Sequence, residues 1–223
     1  MILNANLVYL VGAIYGDGYI RDGIKSKNDS STDFNFSFEI TDIEYLEKVI
    51  LPLFQEIIIT KSKVRRRKRK NKAEIGRLEI RNKFLFLFLT EDIGAHKGRR
   101  PRAIDIPKKI KELPLEIQNE FIAGYFDTDG GFRNKSLGLT SKSEKMRDYF
   151  CEILDKNQIK YSKDSWLNQK YNPMYFGARI KKADIDTFLK IIKLRNHEKI
   201  ARIHARYSCA GAGAVKRARR IPS

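Results

Sequence analysis

Between positions 33 and 41 apolar and polar side chains alternate: Phe34, Phe36, Phe38 and Ile40 fall on one side, Asn35, Ser37, Glu39 and Thr41 on the other. Period-two alternation predicts a half-buried strand with its polar face left open. A strand over 19–25 precedes it, and ahead of that lies a helix of about a dozen residues that Asn4 or Asn6 can cap. An amphipathic helix over 42–59 follows, then basic strands over 62–69 and 74–81 joined at 70–73, then a helix over 83–91. Residues 94–114, with three prolines and many cations, read as a linker. Beyond it the order returns: a helix with Pro114 at its start, strands near 132 and over 136–141, a helix over 143–157, strands over 159–167 and 174–181, and a helix over 183–194. The fold class is α+β, with the plan αββαββα written twice. The divisions expected are 1–97, a linker at 98–112, 113–195, and a basic helix and tail at 196–223.

The repetition is also literal. Leu10-Val11-Gly12-Ala13-Ile14-Tyr15-Gly16-Asp17-Gly18 returns as Ile122-Ala123-Gly124-Tyr125-Phe126-Asp127-Thr128-Asp129-Gly130. Gly12 and Gly124 lie inside their helices, where glycine costs about 0.5–1 kcal/mol against alanine. Small residues recur at helical spacing, Gly12 with Gly16 and Gly124 with Thr128, which lets two helix backbones approach closely. Both helices are apolar nearly all round, so both faces need cover. The two copies are therefore expected to pack on each other about a pseudo-twofold. Asp17 and Asp129 then stand at helix C-termini, where the macrodipole disfavours an anion by roughly 0.3–1 kcal/mol, and they converge and repel. Such an arrangement makes sense where divalent cations sit beside hard carboxylate oxygens and share phosphate oxygens.

Composition supplies the partner. Lys and Arg number 45 against 27 Asp and Glu, a net charge of +18, with pI ≈ 9.9. Nucleic acid is the polyanion such a surface most often meets, whereas a membrane surface would call for a basic amphipathic helix. The run at 61–72, KSKVRRRKRKNK, holds nine cations and no acid, and 216–223 holds four more. These runs suit phosphate contact, against the plainer reading of solvated loops. Hydrophobic content of 42% and aromatics of 11% exclude a disordered chain. Two cysteines, Cys151 and Cys209, give no disulfide framework, so a reduced, intracellular, cytoplasmic setting is expected. Sparse Cys and His argue against a tetrahedral zinc site; His197 and His204 lack a third ligand, and His96 has no visible partner. The longest apolar runs, near 7–15 and 84–89, are too short to span a membrane. Cys151, among apolar neighbours, reads as core. Residues 208–223, rich in Gly and Ala and then basic, read on their own as disordered.

Both nonapeptides resemble the LAGLIDADG motif of homing endonucleases, in the single-chain, two-repeat form of intron-encoded archaeal members. The resemblance implies two saddle-shaped antiparallel sheets in the major groove of double-stranded DNA, with the motif helices at the interface above the minor groove. It implies a monomer that hydrolyses both strands with Mg²⁺, or another divalent cation such as Mn²⁺, leaving short 3′ overhangs and using no organic cofactor. Asp17 and Asp129 would each coordinate a metal, with the carbonyls of Gly16 and Thr128 nearby. Motif position six packs in the helix interface, so Tyr15 there in the first copy does not threaten activity; Asp127 holds it in the second copy, and with no acidic counterpart in the first half it ranks below Asp129 as the acid. By place in the repeat, Arg81 and Lys181 would serve as the basic residues beside each metal. Asp42 and Ser141 fall where the family often carries glutamine.

Base and phosphate contacts are expected from Arg21, Lys25, Asn35, Arg65, Arg66, Arg67, Lys68, Arg69, Lys70, Arg77 and Glu79 in the first half. In the second half the candidates are Arg133, Lys135, Lys160, Gln169, Lys170 and Arg179, with Trp166 open between packing and contact. Two other readings use the same scaffold: an intron RNA maturase, alone or in a dual role, and a DNA-binding regulator without catalysis. Retention of both acids argues against each as the sole function. A motif that begins ten residues into the chain is expected of a free-standing protein rather than of a domain within an intein.

Overall fold

The computed structural model describes residues 1–21, 34–69, 72–98, 104–133, 135–168 and 173–217; at 69, 72 and from 208 onward it describes the backbone alone. Lys25, Lys70, Gln169 and Lys170 lie outside the described residues, as does the side chain of Arg69.

Helix α1 (Ala5–Gly16) begins where the Asn4 side chain accepts the Leu7 N–H at 2.9 Å, and it buries every residue from Leu7 to Gly16. Of the two asparagines that could cap it, Asn4 does so; Asn6 instead donates to Glu56. After it come β1 (Gly18–Ile20), β2 (Asn35–Ile40) and a helical stretch built from α2 (Ile43–Tyr45), a π-helical turn (Leu46–Ile50) and α3 (Leu51–Ile57). The expected single helix is therefore interrupted. Pro52 has no N–H to give to the preceding turn, so the ladder shifts register just before it. Strands β3 (Arg65–Arg69) and β4 (Lys72–Arg81) follow, then α4 (Lys83–Leu87) with a π-helical turn at Phe88–Asp92. Among its described residues the linker contains one short helix, α5 (Lys108–Lys111).

The second half comprises α6 (Leu115–Asp129), β5 (Gly131–Arg133), β6 (Ser136–Ser141), α7 (Glu144–Lys156), β7 (Tyr161–Leu167), β8 (Met174–Ile180) and α8 (Ile185–Ile191), and α9 (His197–Arg217) is the last element among the described residues. The expectation of disorder from 208 is corrected as far as Arg217, to which α9 runs on. No described helix is long and apolar enough to cross a membrane.

Each half forms one antiparallel four-stranded sheet, ordered β1-β2-β4-β3 and β5-β6-β8-β7. Register gives each sheet one apolar face. Phe36, Phe38, Leu78 and Ile80 are buried on the first, where the Phe36 ring meets Phe54 and Phe86. In the second half Leu137, Leu139, Ala178 and Ile180 are buried, and Phe126, Phe150 and Phe188 cluster beside them. The opposite face of each sheet carries the polar set.

Helices α1 and α6 join the halves through direct backbone contact. A Cβ at Gly12 would lie 2.1 Å from the Phe121 carbonyl oxygen, and one at Gly124 would lie 2.0 Å from the Tyr9 carbonyl oxygen. The contacts are reciprocal: Gly12 meets Phe121 and Tyr125, and Gly124 meets Tyr9 and Ala13, the same motif positions exchanged. This is the pseudo-twofold that the repeated small residues predicted.

Candidate functional site

The two motif helices end against each other. A Cβ at Gly16 would fall 1.6 Å from Thr128 Oγ1, so the residues just before Asp17 and Asp129 touch across the interface. Each turn is closed by its own helix: the Asp17 N–H donates to Ala13 O at 3.1 Å and the Gly130 N–H to Phe126 O at 2.9 Å. Both acids thus leave abutting helix ends at the junction with the first strand of their half. The cleft beside them is lined by Asp17, Thr41, Asp42, Asp127, Thr128, Gly130, Asn196, Lys199 and Arg202.

Two of these residues come from α9, which sequence reasoning assigned no role in the site. Lys199 is half-buried, and its Nζ donates to three carbonyls at the end of α6: Phe126 at 2.8 Å, Thr128 at 3.0 Å and Gly130 at 2.7 Å. A cation there complements the negative end of the helix dipole and satisfies its last carbonyls. Burial pushes the ammonium down to about 8, against the opposing pull of Asp127, Asp129 and Asp17. No spacing rule connects position 199 to a motif some seventy residues upstream, so only the fold reveals it.

Asp127 is 2% exposed and serves the interface. Its Oδ2 accepts from the Tyr9 hydroxyl of the other half at 2.5 Å, the Arg195 N–H at 2.6 Å and the Asn196 N–H at 3.2 Å. Burial raises its carboxyl above the usual range. Tyr15, at the same motif position in the first copy, plays the equivalent part: its hydroxyl accepts the His96 N–H at 3.1 Å. Position six in each copy therefore holds the backbone that follows the last helix of its own half. Asp42 caps α2 by accepting the Tyr45 N–H, and its other oxygen accepts from Asn196 Nδ2 at 2.9 Å. Ser141 is buried and accepts the Ser143 N–H. His197 and His204 are both exposed, and Cys151 is buried with its thiol raised to about 11.

Among the described residues no three or more His, Cys, Asp or Glu side chains gather where they could hold a metal ion. Protein donors at the acid pair are accordingly few carboxylates plus backbone carbonyls. That sparse oxygen set fits Mg²⁺, which keeps several waters and shares phosphate oxygens. The Thr128 carbonyl is the donor that Lys199 already engages.

The open sheet faces sort the remaining candidates. On the first sheet Arg77 stands opposite Glu39 and Arg65, and Arg81 opposite Asn35. Arg77 pairs with Glu79 at 2.5 Å. Arg65, Arg67 and Arg21 are exposed, as are Lys68 and Arg81. Two residues are placed differently from the rest. Arg66 pairs with Gly76 in register and so points to the apolar face, where it bridges to Glu47 at 3.1 Å. Asn35 has the open-face register but is only 3% exposed, closed over by its surroundings.

On the second sheet the Arg133 guanidinium lies 3.1 Å from the Trp166 ring centroid, and Trp166 stacks on Tyr175 at 5.7 Å with 10° between planes. Trp166 thus packs on this face rather than in the core. Arg179 lies on the open face with Trp166 and is 8% exposed, held by Thr140 at 2.7 Å and Asp164 at 3.5 Å. Lys135 adopts a positive φ of 66° beside the β5–β6 turn, and Lys160 is exposed. Lys181 is exposed one residue past β8, its N–H donating to Lys160 O, whereas Arg81 is the last residue of β4. The expected placement of both on a final strand therefore holds for Arg81 only.

Residues 116–193 match the family model described as a LAGLIDADG-like domain. A search of the curated proteins found no match. Among solved structures, I-DmoI in complex with DNA and Mn superposes with a TM-score of 0.63 at 18% identity, covering 86% of this chain and 98% of that one. The homing endonuclease I-WcaI bound to its DNA recognition sequence gives 0.55 at 22% identity, covering 86% and 82%. The N-terminal LAGLIDADG domain of DUF199/WhiA gives 0.54 at 16% identity, covering 89% and 86%. The fold is the two-repeat α+β fold of I-DmoI, each repeat a four-stranded antiparallel sheet with its helices.

Proposed function

We propose that the protein is a site-specific DNA endonuclease of the LAGLIDADG type. It binds a long asymmetric duplex along the open faces of its two sheets through the major groove, and it hydrolyses both strands across the minor groove to leave short 3′ overhangs. The observation that carries this reading is the meeting of Gly16 with Thr128, which joins the two helix ends that carry Asp17 and Asp129 between the two sheets. Support comes from the I-DmoI structures, which were obtained with DNA and Mn, Ca or Mg. Both acids lie on one chain, so a monomer suffices.

Asp17 and Asp129 would hold Mg²⁺, with the Gly16 carbonyl as a further oxygen donor. Bound there, a divalent ion neutralises phosphate charge and lowers the pKa of water. The chain's own residues supply position and field. The helix interface fixes the spacing of the two acids, and Arg81 and Lys181 offer cations to the phosphates flanking each cut. The Arg133–Trp166–Tyr175 stack presents a rigid patch to the groove.

Selection of duplexes from a random pool tests the reading. Recovery of one long asymmetric DNA site supports it, and retention of RNA in preference to duplex DNA contradicts it. Salt dependence checks the first sheet. Replacing Arg65 and Arg67 by Gln is expected to flatten the slope of log affinity against log salt by up to about two units. Arg66→Gln, on the opposite face, is expected to leave the slope unchanged; equal effects from both faces would return the run to a solvated loop.

A further inference from the structure

We propose that Lys199 is a tethered competitor of the divalent cation. In the free protein its ammonium holds the Thr128 carbonyl and offsets the charge of the acid pair, and an ion entering beside the acids displaces it. The inference deepens the endonuclease reading and rests on it.

The geometry is that of a cation site already filled by the chain. An ammonium has three N–H donors, and all three of Lys199's find carbonyls of the final α6 turn at 2.7–3.0 Å. One of those carbonyls belongs to Thr128, the residue between Asp127 and Asp129. The side chain enters the same cleft that Asp17, Asp42 and Asp127 line. It is also aimed: the Lys199 N–H donates to Asn196 Oδ1 at 2.9 Å, and the Asn196 N–H donates to Asp127, so the first turn of α9 is anchored to the motif helix. Lys199 therefore stands where hard oxygens and acids converge, and it presents the same charge sign as a metal ion. The plainer role, a C-terminal cap of α6, predicts lost stability without any change in metal affinity.

The test uses the full chain without DNA, and Mn²⁺ binding followed by electron paramagnetic resonance. Lys199→Met, and Lys199→Gln where a donor is needed for folding, are expected to bind Mn²⁺ about tenfold or more tightly than the parent protein, since one positive charge has left the site. Lys199→Arg, which keeps the charge, is expected to bind as the parent does. Asp17→Asn in the Lys199→Met background is expected to remove the gain. The parent protein offers a measurement independent of these variants: acetylation of Lys199, read by mass spectrometry, is expected to speed up when Mn²⁺ saturates the site. Unchanged Mn²⁺ affinity in Lys199→Met and Lys199→Gln, or unchanged protection of Lys199 on Mn²⁺ binding, overturns the role of Lys199 while Asp17→Asn still weakens Mn²⁺. If Asp17→Asn and Asp129→Asn both leave Mn²⁺ binding untouched, the metal site itself fails, and the inference falls with it.

Discussion

Asp17→Asn, and separately Asp129→Asn, are expected to abolish double-strand cleavage while leaving duplex affinity within a few-fold of the parent protein. Asp17 caps α1 and Asp129 is the last residue of α6, and each lies beyond the buried stretch of its helix: α1 is buried from Leu7 to Gly16, and α6 from Gln118 to Asp127 save for Glu120. The amide removes charge, not volume, so the interface is preserved. What goes is the anionic oxygen that would hold a divalent ion beside phosphate. A loss of about a thousandfold in rate, roughly 4 kcal/mol of barrier, is the scale expected. Affinity is spared because an anion beside a polyanion contributes nothing to attraction. Cleavage and binding assays on the selected duplex read the two effects separately; joint loss of binding and of the folding transition would make the acids structural.

Gly12→Val is expected to destabilise the protein by about 3 kcal/mol or more, and Gly124→Val by a similar amount. The added Cβ would lie 2.1 or 2.0 Å from a backbone oxygen of the facing helix, so no side-chain rotation relieves it and the helices must separate. Separation exposes the apolar faces of α1 and α6 together and spreads Asp17 from Asp129. Gly131→Ala is the control, since a Cβ there meets nothing within 4 Å; a change of about 0.5 kcal/mol or less is expected. Denaturant midpoints with unchanged slopes check both results. Equal, small shifts at all three positions would contradict the interface.

Most of the fold was legible because its signals are local or repeated. Alternation at 33–41 marks one strand, and the recurrence of the segment at 10 as the segment at 122 marks the twofold and the helix ends that meet beside Asp17 and Asp129. The failures are equally physical. Pro52 displaces a helical register in a way that amphipathic periodicity does not register. Arg66 and Arg65 are indistinguishable in a run of cations; only strand register separates a back-face ion pair from an open-face arginine. Asn35 and Arg179 have the right register for the open face yet are buried, Arg179 held by Thr140 and Asp164 of neighbouring strands. Lys199 lies on a helix whose sequence showed two histidines and a basic tail, and the contacts that place it in the site come from Asn196 and Asp127.

The central claim is that Asp17 and Asp129 form one hydrolytic centre served by a divalent cation. The most direct measurement is incubation of the protein with a plasmid carrying the selected duplex, once with Mg²⁺ and once with EDTA. A linear product with short 3′ overhangs in Mg²⁺ alone is the predicted result. Specific, tight retention of an intact plasmid in Mg²⁺ would contradict it.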